Sequence, residues 1–117
     1  MKCSHSEPLL TREEFNTLAL KRDHNKCILC GSPATEVHHI MERRLFICQG
    51  YHLSNAASVC NPCHILCEKD EVDLETVRVA AKVIRPCIPD HLYHDETYDK
   101  WGNVILSNGN RLRGELF

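Results

Sequence analysis

The sequence predicts a small α+β domain stapled by zinc, and three observations carry that expectation. Two C-x-x-C pairs, Cys27–Cys30 and Cys60–Cys63, stand far apart in the chain. A strand-like stretch follows the first pair, and a helix start coincides with the second. The chain has 117 residues, enough for one domain whose apolar core is marginal without a staple. Paired dithiols suit a tetrahedral zinc because a short turn lets both thiolates face one soft cation.

Taken in order, the elements divide the chain into an N-terminal arm and helix (1–23), a cysteine- and histidine-bearing core (24–70), and a C-terminal helix and tail packed on the same domain (71–117). Residues 1–10 read as a loose arm. Thr11-Arg12-Glu13-Glu14 has the form of a capping box. Phe15, Leu18 and Ala19 then recur at helical spacing, which predicts an amphipathic helix to about Arg22 that Asp23-His24-Asn25 ends. Lys26 to Pro33 reads as a zinc knuckle, with Gly31 free to turn left-handed after the second thiolate. Thr35 to Met41 alternates and is rich in strand formers, so it should carry His38 and His39 on a strand.

Glu42 to Ser54 reads as a long connection with Gly50 near its turn. Asn61-Pro62 is a helix start, with Asn61 as N-cap and Pro62 in the first helical position. That helix carries Cys63, His64, Cys67 and Glu68. Asp73 caps a further helix predicted over 74–84, with Leu74, Val77, Ala81 and Ile84 inward and Pro86 ending it. Ser107-Asn108-Gly109-Asn110 reads as a hairpin turn between Val104-Ile105-Leu106 and Arg111-Leu112-Arg113.

Eight cysteines suit either a secreted disulfide framework or metal binding. The N-terminus, Met1 to Pro8, has no apolar signal region, so the expectation is a cytoplasmic, reducing setting in which grouped cysteines bind metal. No apolar run approaches membrane-spanning length. The formal net charge of -2 does not announce a nucleic-acid binder, nor does it exclude one, because the charges are segregated. Arg43, Arg44, Arg78, Lys82, Arg85, Lys100, Arg111 and Arg113 are basic points, while 68–75 and 90–99 are acidic stretches. Cys3, Cys48, Cys67 and Cys87 have no paired spacing and read as small thiols, although Cys67 lies one helical turn after Cys63. His5, His24, His52, His91 and His94 read as surface or loop histidines. Trp101 is a core anchor or a stacking surface for a base.

Residues 31–59 separate the two dithiols, more than a simple zinc ribbon needs. Within them lie His38-His39 and, shortly before Cys60, Asn55; His64 directly follows Cys63. Over roughly residues 24–70 this pattern resembles the His-Asn-His, or HNH, endonuclease family. The stretch Tyr98-Asp99-Lys100-Trp101-Gly102-Asn103, with Arg111 to Glu115, is similar to the tails of small stand-alone HNH proteins of bacteria and phages, and carries no mechanism.

The resemblance implies a ββα-metal core that holds one divalent ion against a scissile phosphate. It implies His39 as general base, His38 and His64 as metal ligands with Glu68 as a third, and Asn55 as the residue tying loop to strand. His64 and Glu68 are four apart on the expected helix, so they share one face independently of the resemblance. Neighbours Cys63 and His64 diverge by about 100° around that helix, so one can face zinc and the other a groove. A neutral imidazole accepts a proton at neutral pH where lysine does not, and a divalent ion offsets charge on a departing oxygen. Arg43 and Arg44 are either a phosphate clamp or an exposed basic loop.

Consecutive strand residues point to opposite faces, so His38 and His39 both reach one site only if the strand ends or twists there, and their roles are exchangeable at this level. Glu68 makes Mg2+ or Mn2+ easier to accommodate, with Zn2+ or Ni2+ as alternatives. The expectation is therefore a metal-dependent endonuclease acting on DNA. The rivals are a non-catalytic zinc-stabilised nucleic-acid-binding module, an RNA-directed nuclease and, last, a disulfide-stapled secreted protein.

Overall fold

In the computed structural model, residues 7–84, 87–93 and 95–114 are described. Readings made on Cys3, His5, Arg85, Pro86, His94 and Glu115, and on the first residues of the arm, fall outside them. The chain runs α1 (Arg12–Arg22), β1 (Glu36–His39), β2 (Ala56–Val59), α2 (Asn61–Glu68), α3 (Leu74–Ala80), β3 (Val104–Ile105) and β4 (Arg111–Leu112). Short 3-10 turns at Arg43–Leu45 and Leu53–Asn55 lie in the long β1–β2 connection. This is a small α+β fold with two two-stranded antiparallel sheets. Its radius of gyration is 13.6 Å, against about 13 Å expected of one packed domain of this length.

The capping box forms as expected: the Thr11 hydroxyl accepts from the Glu14 amide, and the Glu14 carboxylate accepts from the Thr11 amide. Phe15 and Ala19 are buried, whereas Leu18 is 38% exposed, so the apolar stripe of α1 is narrower than its spacing implied. The Arg22 guanidinium pins the end of α1 to the second strand by donating to the carbonyls of Leu53 and Ala56. Asp23 accepts from Arg22 and from the Ser58 amide.

β1 and β2 pair antiparallel, with His38 opposite Ala57 and His39 opposite Ala56. All four residues of β2 are buried, because the sheet is covered on both sides. Phe15 and Ala19 pack on Ala56, while Ile40, Cys67, Val77, Ala81 and Val83 gather around Ala57. A third cluster, Met41, Leu45, Phe46, Cys87 and Tyr98, ties the long connection to the C-terminal segment.

Two boundaries and the burial of one histidine differ from the sequence reading. The N-cap of α2 is Cys60, with Asn61 already helical and Pro62 inside the first turn; a proline there still removes only an amide the helix leaves unbonded. Helix α3 stops at Ala80, because Lys82 turns left-handed at φ 59° and the Arg78 guanidinium bonds the Val83 carbonyl beyond it. Ile84, expected inward, is consequently 94% exposed. His52, read as a surface histidine, is buried at 1% exposure, with Nδ1 donating to the Pro8 carbonyl.

The tail folds back. The expected hairpin forms between β3 and β4. Asp99, fully buried, accepts from the amides of Trp101 and Asn103 and from the Asn103 side chain. Arg111 bridges Asp99 and Asp70. The Glu42 amide donates to the Lys100 carbonyl at 2.8 Å, which fixes residue 100 beside the end of β1.

Candidate functional site

Two clusters meet on α2. In the first, the Sγ atoms of Cys27, Cys30, Cys60 and Cys63 all lie within 4.8 Å of one another. The Cys30–Cys60 separation is 3.6 Å, close to the about 3.8 Å edge of a tetrahedron with 2.3 Å zinc–sulfur bonds. The knuckle that delivers Cys27 and Cys30 closes through the Cys27 amide on the Ser32 carbonyl and the Gly31 amide on the Cys27 carbonyl. Gly31 takes φ 79° there, a conformation that a side chain would strain.

The four thiols do not ionise alike. Hydrogen bonds from Ser32, and then from Cys60 and Cys27, lower the Cys30 thiol to about 6. Burial and the hydrogen bonds it donates to its neighbours push the Cys63 thiol up, and Cys60 also rises. By itself the cluster stabilises one thiolate; a divalent soft cation is what lets the others ionise. The donor set therefore fits a structural zinc. Cys67 is not a fifth ligand: it lies in the core, and burial raises its thiol to about 11. Cys48, read from the sequence as a small thiol, is disulfide-bonded.

The second cluster is His38, His64 and Glu68, whose ligand atoms also lie within 4.8 Å of one another. Glu68 Oε1 stands 3.3 Å from His38 Nδ1 and 3.1 Å from His64 Nε2. The other nitrogen of His64, Nδ1, donates to Glu36 at 2.7 Å. In the neutral ring that bond fixes the proton on Nδ1 and turns the Nε2 lone pair toward the Glu68 oxygen. Two lone pairs facing each other at that distance suit a shared cation. Two imidazoles and a carboxylate are a donor set that first-row divalent ions accept. Hydrogen bonds from His38 and then from Lys100 hold Glu68 well below the usual carboxylate range, so it is charged and ready to ligate.

His38 and His39 do point to opposite faces of β1. His38 faces α2 and is 2% exposed. His39 stacks on Phe15 at 4.6 Å and meets the edge of Tyr51 at 5.1 Å. Yet His39 still reaches the same place, because an open groove of about 520 Å³ passes over the edge of β1 and is lined by His39 from one face and by His64 and Glu68 from the other. His39 Nε2 is buried and has no hydrogen-bond partner among the described residues. Burial, then unfavourable electrostatic interaction with His38 and with the Arg43 guanidinium, lowers the His39 imidazole to about 4. It is thus neutral at pH 7, and a weaker base than a free imidazole.

Asn55 is fully buried and does what a loop tie requires. Its Oδ1 accepts from the Met41 amide, and its Nδ2 donates to the carbonyls of Met41 and Gly50. Gly50 is needed at that contact: its φ is 71°, and a Cβ would lie 2.7 Å from the Phe46 ring. Arg43 lines the groove, whereas Arg44 is absent from its lining and bonds Glu42 instead.

Sequence reasoning missed Arg12, Asn16, Glu36 and Lys100, all of which line the groove. Arg12 and Asn16 are one helical turn apart on the exposed face of α1, a spacing that marks a common face without saying what the face meets. The groove carries Arg12, Arg43 and Lys100 against Glu36, Glu42 and Glu68. A phosphodiester entering this balanced set gains little unless a further cation offsets the carboxylates. Among the described residues no helix is long and apolar enough to cross a membrane. No family model, curated protein or solved structure matches the chain.

Proposed function

We propose that the chain is a metal-dependent endonuclease of the HNH type that hydrolyses phosphodiester bonds in double-stranded DNA. The observation carrying this reading is that His39 shares one groove with His64 and Glu68, which cluster with the buried His38, beside a separate four-cysteine cluster. In this reading β1, β2 and α2 are a ββα-metal core. Zinc on Cys27, Cys30, Cys60 and Cys63 holds it together, and His38, His64 and Glu68 hold the catalytic ion. Mg2+ or Mn2+ suits a set that includes a charged carboxylate in an open groove.

Bound there, the ion supplies charge to the phosphate and its departing oxygen. Everything else falls to the chain's own side chains. Arg43 and Arg12 flank the groove and position phosphate oxygens. His39, neutral and lining the groove, takes the proton of the attacking water. Phe15 and Tyr51 keep its ring from turning away. Asn55 fixes the end of the strand that carries it by bonding both the amide and the carbonyl of Met41.

The lowered basicity of His39 favours a second reading, a zinc-stabilised nucleic-acid-binding module that cuts nothing. Incubating supercoiled plasmid with purified protein and Mg2+ or Mn2+, beside His39→Ala, separates the two. Nicking by the wild type and not by the variant supports the nuclease. Plasmid binding by both proteins without nicking supports the binding module, and cleavage of an added RNA alone would move the substrate to RNA.

A further inference from the structure

Lys100 is a charged side chain in an unexpected place. It is 3% exposed, lines the groove, and comes from the tail rather than from the elements that carry the site. Its ammonium donates to Glu68 Oε2 at 3.1 Å and lies 3.6 Å from Glu42 Oε2, with the Trp101 ring beneath it at 5.3 Å. The two oxygens of Glu68 are therefore divided. Oε1 faces His38 and His64, while Oε2 belongs to Lys100.

A tail that needed only an anchor already has one in Asp99, Asn103 and Arg111. Burying an ammonium as well is costly unless it is well paired. Its partners are both acidic residues of the groove, and one of them belongs to the candidate ligand set. A fixed positive charge against a ligand carboxylate repels a divalent ion but leaves a cation facing an anionic substrate. It also withholds Oε2, so the carboxylate has one oxygen to give, which suits a small ion that keeps several waters.

We propose that Lys100 is a positioning residue of the His38–His64–Glu68 site, holding Glu68 so that only Oε1 faces the ion and weakening ion binding in favour of a cationic groove for phosphate. The inference rests on reading that cluster as a divalent-metal site. The test is calorimetric titration of Mn2+ into the zinc-loaded full chain without nucleic acid, for the wild type, Lys100→Met and Lys100→Arg. Lys100→Met should bind Mn2+ more tightly by roughly tenfold, the size expected of removing one unit charge a few ångströms away in a partly solvated site. Lys100→Arg should bind like the wild type, because it keeps the charge. In parallel, metal-free DNA affinity should fall in Lys100→Met and be retained in Lys100→Arg.

A merely structural lysine would lose metal affinity on removal rather than gain it. Equal or weaker Mn2+ binding by Lys100→Met therefore overturns the proposal. If Lys100→Met does not melt cooperatively, Lys100→Gln, which keeps a donor for Glu68, carries the same expectation and the same overturning result. A wild type that takes up no Mn2+ would sink the metal reading and this inference together. A wild type that binds Mn2+ with the same affinity as Lys100→Met would sink the positioning role alone.

Discussion

Cys63 and His64 are consecutive residues of one helix, yet they serve clusters of opposite construction. The four-cysteine cluster is built from the Cys27–Cys30 knuckle and the first turn of α2, each supplying two sulfurs, and its members differ in ionisation because they share one negative charge among themselves. The His38–His64–Glu68 cluster draws on a strand and a helix, leans on Glu36 for the tautomer of His64, and has Lys100 brought in from the tail. A cluster made of turns is fixed by local spacing. A cluster made of separate elements is fixed by packing, so one helix carries a cluster set by spacing beside a cluster set by packing.

The largest expected break in this comparison is on the staple side. Cys27→Ser removes a buried ligand, and structural zinc in small domains contributes on the order of 10 kcal/mol to folding. The variant should lose its zinc and its cooperative thermal transition. A metal-free wild type that melts as cooperatively as the zinc-loaded protein would show that the cluster holds nothing the fold needs.

Next comes the division of labour in the groove. His39→Ala should lower plasmid nicking by roughly a hundredfold or more, as loss of a general base does, while melting and Mn2+ binding stay near wild type. His64→Ala should instead weaken Mn2+ binding, with partial recovery of nicking at excess metal. Calorimetry deciding the reverse, with the ion lost in His39→Ala and kept in His64→Ala, would exchange the roles of the two residues.

The legibility of the two centres in the sequence follows the same contrast. The C-x-x-C spacings, the capping box at Thr11, the cap at Asp73 and the 107–110 turn were readable because each is a statement about neighbours within one turn of chain. So was the shared face of His64 and Glu68. Where α3 stops was not readable, because its end depends on Arg78 reaching forward to the Val83 carbonyl and not on the apolar spacing. His52 was misread because its burial comes from the arm laid over it, whose Pro8 carbonyl it bonds. In the sequence Lys100 reads only as a basic point and as part of a tail without a mechanism: its place in the groove comes from contacts with Glu42 and Glu68, which no spacing rule connects to position 100.

Acid should affect the groove histidine in a predictable direction. His39 has a folded-state value near 4 against about 6.5 when unfolded, so between those values the unfolded chain binds more protons. Stability therefore rises with pH across that window and is lost as pH falls from about 6.5 toward 4. Release of any metal held by the cysteine cluster at acid pH acts on every variant alike, so the comparison is with His39→Phe. Thermal melts over this range should show the wild type losing stability more steeply than the variant; parallel curves would mean that His39 is not held neutral by its surroundings.

The smallest effect expected is at the rim, where Arg43 and Arg44 part company. Arg43 lines the groove and Arg44 is 66% exposed and occupied with Glu42, so only the first stands where a phosphate would lie. Arg12, across the groove on α1, stands with it. Each phosphate contact removed should reduce the slope of log affinity against log salt by about one. Arg43→Ala and Arg12→Ala should each flatten that slope for duplex DNA while leaving Mn2+ affinity near wild type, and Arg44→Ala should leave the slope unchanged. An Arg44→Ala slope that falls as far as that of Arg43→Ala would place the DNA across the 3-10 turn that carries both arginines, and not only in the groove over β1.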